Sequence, residues 1–196
     1  MNKLLGFYEL KNSALPSVQW EEFREGVKLD QSRLWTIRTA VFQGQDLNLP
    51  RLVGARADDA YQFARGLLEK KWDEKGMIVY YPYFVAEKSG TLKVSSDGIV
   101  VEAVKADLWN LVTDSKCDVT VQLFKDGVKV TGDSNFLSET ELTEILGHAN
   151  TIRRMFRSDM LEGKHVLLEW SLAYDCKEDG MRYGDRYLLF YEARTV

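Results

Sequence analysis

Three stretches of this sequence place charge among neighbours that are mostly apolar. Glu169 interrupts the run HVLLEWSLAY and is followed by Trp170. Glu192 and Arg194 stand two apart near the end of RYLLFYEART, so in a strand their side chains share a face. Arg38 lies in RLWTIRTAV, where alternation puts Leu34, Thr36, Arg38 and Ala40 on one face and Trp35, Ile37, Thr39 and Val41 on the other. If the strands of Glu169 and Glu192 are hairpin neighbours, two carboxylates and a guanidinium come together, and Arg38 can join them from the early strand. Hard carboxylate oxygens suit Mg²⁺, and a guanidinium grips phosphate with paired N–H donors. The same residues also make an ordinary Glu–Arg salt bridge within a sheet, and pattern alone favours that plainer reading.

The elements that must position these residues fall into segregated runs. Trp20, Phe23 and Val27 recur at helical spacing, which predicts a short amphipathic helix over 18–28. A strand over 33–41 follows, then a loop over 42–54 bracketed by Gly44 and Gly54 and containing Pro50. Residues 56–73 predict a helix with Ala57, Tyr61, Ala64 and Leu68 along one face and Asp58 and Asp59 at its positive end. From residue 76 to 131 the chain reads as consecutive strands, including LWNLVT at 108–113. They are separated by turn-like stretches at 88–90, 95–98, 114–116 and 125–127. Pro82 marks an edge or bend in the first of these strands. Ser138 with Glu141 is a capping box that opens a helix over 138–157. Strands at 165–174 and 186–195, joined by a polar loop, close the chain. This order argues for an α+β fold with mainly antiparallel sheets in two lobes around a cleft. The boundary is placed near residue 75, giving lobes of 1–75 and 76–196.

Composition narrows the function. The chain has 196 residues, 26 Lys plus Arg against 30 Asp plus Glu, and a formal charge of −4. That balance argues against a general nucleic-acid binder. No apolar run reaches the ~18 residues of a membrane span. The N-terminus lacks a long apolar stretch and meets Glu9 early, so no signal peptide is expected and the setting reads as cytoplasmic. Cys117 and Cys176 are too far apart for a zinc or redox motif and read as free thiols, and two histidines are too few for a His/Cys zinc site. His148 reads as a packing or solvated histidine rather than a phosphoacceptor, and His165 as surface. Ser89-Gly90-Thr91 is too short for a phosphate loop, and no Walker motif occurs. Arg153, Arg154 and Arg157 read as a solvated helix end, and Tyr80, Tyr81, Tyr83 and Phe84 as sheet core and rim rather than a stacking platform.

Five blocks, in order over roughly residues 33–196, resemble the ATP-binding domain of phosphoenolpyruvate synthases and pyruvate phosphate dikinases. The tail LLEWSLAYD…RYLLFYEARTV is the most specific, being similar to a Glu-Trp strand, a polar loop and a strand ending Gln-Ala-Arg-Pro. The helix LSETELTEILGHANTIRRMF precedes it as in the family. WTIRTA resembles the family's Val-Arg-Ser-Ser-Ala strand, MIVYYPYFVAEKSGTL its Val-Gln-Pro-Met strand, and GIVVEAVKADLWNLVT its Glu-Ala-x-x-Gly strand. The resemblance implies an ATP-grasp-like fold that binds ATP with Mg²⁺. It implies that Arg38 and Arg194 contact phosphates and serve any transfer, that Glu169 binds the metal, and that Tyr81 and Glu102 line the nucleotide cleft. Tyr80 and Pro82 fall on the same strand as Tyr81.

The departures point away from a full dikinase. The family's N-terminal Gly-Lys pair has Gly6-Phe7 as its nearest counterpart, leaving Lys3 or Lys11 as possible substitutes. An acid two before the family Glu is Leu167, the family Gln is Glu192, and the family Gly is Ala106. Glu192 can restore a carboxylate from the next strand and act as a second metal ligand. The phosphohistidine- and pyruvate-binding domains of the family are missing from these residues, so any acceptor would come from a partner protein. Two other readings remain open: a non-catalytic nucleotide sensor or scaffold on the same fold, and an α+β protein-interaction module.

Overall fold

The computed structural model describes residues 1–46, 48–108 and 117–196. Its helices are α1 (Lys3–Lys11), α2 (Ala57–Glu69), α3 (Glu139–Gly147), α4 (Ala149–Met155) and α5 (Arg157–Leu161). Its strands are β1 (Glu21–Glu22), β2 (Trp35–Val41), β3 (Arg51–Ala55), β4 (Gly76–Pro82), β5 (Phe84–Val94), β6 (Gly98–Lys105), β7 (Val119–Phe124), β8 (Gly127–Gly132), β9 (Val166–Cys176) and β10 (Arg182–Thr195). They form two antiparallel sheets, β1-β4-β2-β3 and β10-β9-β5-β6-β7-β8. The α+β expectation holds. No helix among the described residues is long and apolar enough to cross a membrane.

The larger sheet is apolar on one face and polar on the other. Leu92, Val101, Leu168, Trp170, Leu172 and Phe190 pack with Ile145, Ile152, Phe156 and Met160 of α3 to α5. The opposite face carries one cross-strand row, Glu192, Glu169, Thr91, Glu102 and Thr120, in register from β10 to β7. The smaller sheet buries Ile37 and Ile78 against α2 on one side and Ala40, Val79 and Tyr81 against α1 on the other. β4 pairs with β2, so residues just beyond position 75 complete the small sheet.

Several local expectations are corrected. Residues 18–28 form no helix: Glu21–Glu22 are a short strand, and residues 25–26 make a turn with Gly26 at φ +87°. Side chains three apart point to opposite faces of an extended chain. Trp20 accordingly joins Phe7 and the α1 side, while Phe23 joins Tyr61 and the α2 side. The same spacing that fits one face of a helix here serves two apolar layers. Residues 88–90 lie inside β5 rather than in a turn. Gly90 leaves no room for a side chain there: a Cβ would sit 1.8 Å from the Glu102 carbonyl oxygen and 2.6 Å from the Trp170 indole ring. β3 occupies part of the expected loop over 42–54. The helix over 138–157 is broken into α3 and α4 and followed by α5, and the closing strands extend to shorten the loop between them to 177–181. The expected strand at 108–113 and turn at 114–116 lie largely outside the described residues.

α1 was not expected from the sequence. Its buried residues are Leu4, Gly6, Phe7 and Leu10. The helix lies so close to β10 that a Cβ on Gly6 would fall 1.9 Å from the Ala193 carbonyl oxygen. That contact fixes the helix whose first residue, Lys3, enters the site described next.

Candidate functional site

A cavity of about 810 Å³ lies between the two sheets. Of the residues singled out in the sequence, Arg38, Tyr81, Glu169, Glu192 and Arg194 all line it. Glu102 does not. Its carboxylate accepts the Thr91 hydroxyl at 2.8 Å, and Thr91 separates it from Glu169 along the sheet.

β9 and β10 bring the two acids together as a cross-strand pair, Glu169 with Glu192, while Arg194 faces Leu167. A bulge makes this possible. Phe190 pairs with Trp170 on the helix-covered face, and Glu192, two residues on, would share that face in a regular strand. The register shift at Tyr191 inserts one extra residue. Tyr191, Glu192 and Arg194 therefore all turn to the cavity, while Ala193 returns to the apolar side.

Charge converges here from separate elements. Arg38 Nη2 of β2 donates to Glu192 Oε2 at 2.6 Å. Lys3 Nζ of α1 lies 3.1 Å from Glu192 Oε1. Of the two lysines considered as substitutes for the family's Gly-Lys pair, Lys3 lines the cavity. Lys11 instead donates to the Trp20 carbonyl and lies over its ring. The Arg194 Nε is buried with no hydrogen-bond partner among the described residues. Glu169 makes no hydrogen bond or close ion pair among the described residues and relies on longer-range attraction to Arg38, Lys3 and Arg194.

The electrostatics follow from this geometry. Burial, reinforced by repulsion from Glu192, pushes the Glu169 carboxyl up to about 7, against the pull of Arg38, Lys3 and Arg194. Burial acts on Glu192 in the same sense, but Arg38 and Lys3 outweigh it and hold its carboxyl below the usual range. Burial disfavours the Arg38 charge, yet Tyr81, Glu192 and Glu169 keep its pKa above the ordinary value. Burial pushes the Tyr81 and Tyr191 hydroxyls up.

The cavity also has aromatic and aliphatic walls, beside Arg51 and Asp107. Tyr83, Phe84, Leu49 and Val53 line it. The Tyr83 and Phe84 rings are near-parallel with centroids 6.3 Å apart, and Phe84 also meets Tyr191. Tyr80 faces away from it, donating to Glu21. Ala106 lines the cavity at φ +60°, a left-handed conformation that costs a non-glycine residue about 1–2 kcal/mol. His148 lies edge-on to Phe190 on the helix-covered side and does not line the cavity.

The donor set suits a hard divalent cation only in part. Glu169 offers an uncommitted carboxylate to the cavity, Glu192 is engaged by two cations, and Leu167 supplies no ligand. No group of three His, Cys, Asp or Glu able to hold a metal occurs among the described residues. Mg²⁺ commonly binds through one or two carboxylates plus ligand phosphates and water, which fits this pair better than a metal held by protein alone.

No protein-family model matches the chain, and no curated protein matches its sequence. Solved structures do match. The L-amino acid ligase from Bacillus licheniformis aligns with a TM-score of 0.50 at 12% identity, covering 98% of this chain and 39% of the ligase. N5-carboxyaminoimidazole synthetase from Staphylococcus aureus, complexed with ADP, aligns with a TM-score of 0.50 at 12% identity, covering 98% of this chain and 43% of the synthetase. The chain thus spans about two fifths of the length of these structures. Both are ATP-grasp enzymes, and the chain has the ATP-grasp fold.

Proposed function

We propose that this chain binds ATP with Mg²⁺ in the cavity between its sheets, as a relative of the nucleotide-binding part of phosphoenolpyruvate synthases and pyruvate phosphate dikinases. The observation that carries the reading is the meeting of Lys3, Arg38 and Arg194 with Glu169 and Glu192 at one end of a two-sheet cleft. Three cations fixed by separate elements suit a polyphosphate, since pairing with a flexible surface anion would not require such placement. Glu169, aided by Glu192, would hold the metal. Such a metal, held by these two residues, would supply charge neutralisation for the phosphates. Tyr81 backs Arg38, and Tyr83 and Phe84 flank the space for the base. The staphylococcal synthetase that aligns with this chain was solved complexed with ADP, which supports nucleotide binding on this fold.

If the chain transfers a phosphoryl group, its own residues position rather than react. Arg38 and Lys3 would orient the phosphates, and Arg194 would meet the charge that develops on the transferred group. No described histidine lines the cavity, so the acceptor would come from a partner protein in the same compartment, which we take to be the cytoplasm. A second reading is favoured by Leu167, which faces Arg194 where the resembled family has an acid. Loss of one metal ligand weakens transfer more than binding, leaving a nucleotide-binding subunit without turnover.

Calorimetric titration with Mg·ATP, Mg·ADP and Mg·GTP tests the reading, followed by release or transfer of labelled γ-phosphate. Saturable binding of adenine nucleotides is expected. Binding of none of them would overturn it, and binding without turnover would select the second reading.

A further inference from the structure

Glu192 divides its carboxylate between two cations. One oxygen accepts from Arg38 at 2.6 Å and the other lies 3.1 Å from Lys3, with the side chain 2% exposed. The bridge ties α1, β2 and β10 together at the cavity wall. Two cations on the two oxygens of one carboxylate are arranged as they would be on two oxygens of a phosphate. We propose that Glu192 is a built-in anion that occupies the phosphate seat of the free chain. A polyphosphate displaces it only together with a divalent cation that takes up the displaced carboxylate beside Glu169. This inference rests on the phosphate-binding reading of the cavity and makes Glu192 the determinant of its metal dependence.

The argument is one of charge in a confined space. A metal-free polyphosphate would have to share Lys3 and Arg38 with Glu192, next to Glu169, where water screens poorly. The Glu192 side chain is 2% exposed and lines the cavity across from Glu169, so a carboxylate released from Lys3 and Arg38 stays beside a second acid. Arg194 is on the same face but cannot answer both acids alone. The displaced carboxylate therefore needs a new cation where it stands. Coupling of this kind is reciprocal, so the polyphosphate raises metal affinity by the same factor that the metal raises polyphosphate affinity.

The test titrates the full chain with inorganic tripolyphosphate, in excess EDTA and again in millimolar Mg²⁺, by calorimetry. Wild type should bind on the order of 100-fold more tightly with Mg²⁺, a coupling within the usual range for linked sites. Glu192→Gln should bind metal-free tripolyphosphate about tenfold or more tightly than wild type and lose most of the Mg²⁺ dependence. A metal-free affinity in Glu192→Gln equal to or weaker than wild type overturns the inference, as does a wild-type affinity indifferent to Mg²⁺. The melting temperature of the variant checks that it is folded; if it is not, the Mg²⁺ dependence of wild type decides alone. ATP separates this inference from the reading beneath it. Mg·ATP binding with no effect of Glu192→Gln removes the built-in anion only. The expected tripolyphosphate behaviour with no added affinity for ATP removes the nucleotide reading and leaves the built-in anion standing.

Discussion

The larger sheet separates two buried acidic clusters that have opposite characters. On the helix-covered side, Glu141 caps its own helix, accepting from the Ser138 backbone N–H at 2.8 Å. It also receives Lys88 at 2.8 Å and 3.0 Å, and pairs with Arg186. Burial would raise its carboxyl, but these donors hold it below the usual range. On the cavity side, Glu169 has no close donor among the described residues and its carboxyl is pushed up to about 7. Both clusters join acids and bases across distant parts of the chain. One satisfies every oxygen and needs nothing more. The other leaves the Glu169 carboxylate and the Arg194 Nε without hydrogen-bond partners among the described residues, on side chains that line a cavity. Perturbed, incompletely paired groups in a cleft are the pattern of a candidate site, whereas satisfied pairs are the pattern of a structural one.

Removing Glu141 should do the most damage. Glu141→Ala strands Lys88 and removes the glutamate half of the capping box, which should cost about 3–5 kcal/mol in urea unfolding. The ligand affinity of the molecules that remain folded should not change. Glu141 also sets a pH dependence. Its folded pKa is lowered, so the unfolded chain binds more protons as pH falls. The stability it contributes is present above its ordinary value of 4.5 and is lost as pH falls through the lower, folded value. Melting curves between pH 6 and about pH 3 should therefore fall more steeply for wild type than for Glu141→Gln.

Gly6→Ala strikes the boundary between the two clusters. The added methyl meets backbone rather than a movable side chain. We expect about 1–3 kcal/mol of destabilisation and weaker phosphate binding as Lys3 is displaced, read by urea unfolding and calorimetry. Glu169→Gln should behave opposite to Glu141→Ala. Removing a desolvated charge that repels Glu192 should raise the melting temperature by a few degrees, while Mg²⁺-dependent binding is lost. Ala106→Gly should have the smallest effect. Relief of the positive φ, offset by the greater freedom of glycine when unfolded, leaves a gain of at most about 1 kcal/mol in urea unfolding.

What the sequence revealed depended on whether one local pattern had one structural meaning. Glu169, Arg194 and Arg38 were legible as residues that could meet because charges in mostly apolar strands stand out, although pattern alone did not separate a site from a salt bridge. The capping box at Ser138 was legible as well. Glu192 was legible by type, but its direction depended on the bulge at Tyr191. The run Leu188–Tyr191 is apolar throughout and shows no break in alternation that would reveal an inserted residue. Lys3 was not assigned because α1 carries apolar residues around much of its surface and shows no clear stripe. Trp20 and Phe23 misled because a spacing of three fits one helical face and equally fits the two faces of an extended segment packed on both sides. Glu102 stood in a legible strand, but its partner Thr91 could be known only from register.

The most direct test of the central claim is the melting temperature of wild type and Arg194→Ala with and without saturating Mg·ATP. Ligand at about 100 times its dissociation constant adds roughly 2.7 kcal/mol, a rise of several degrees for a chain of this size. The account predicts that rise in wild type and its loss in Arg194→Ala. No rise in wild type, or an equal rise in both, would contradict it.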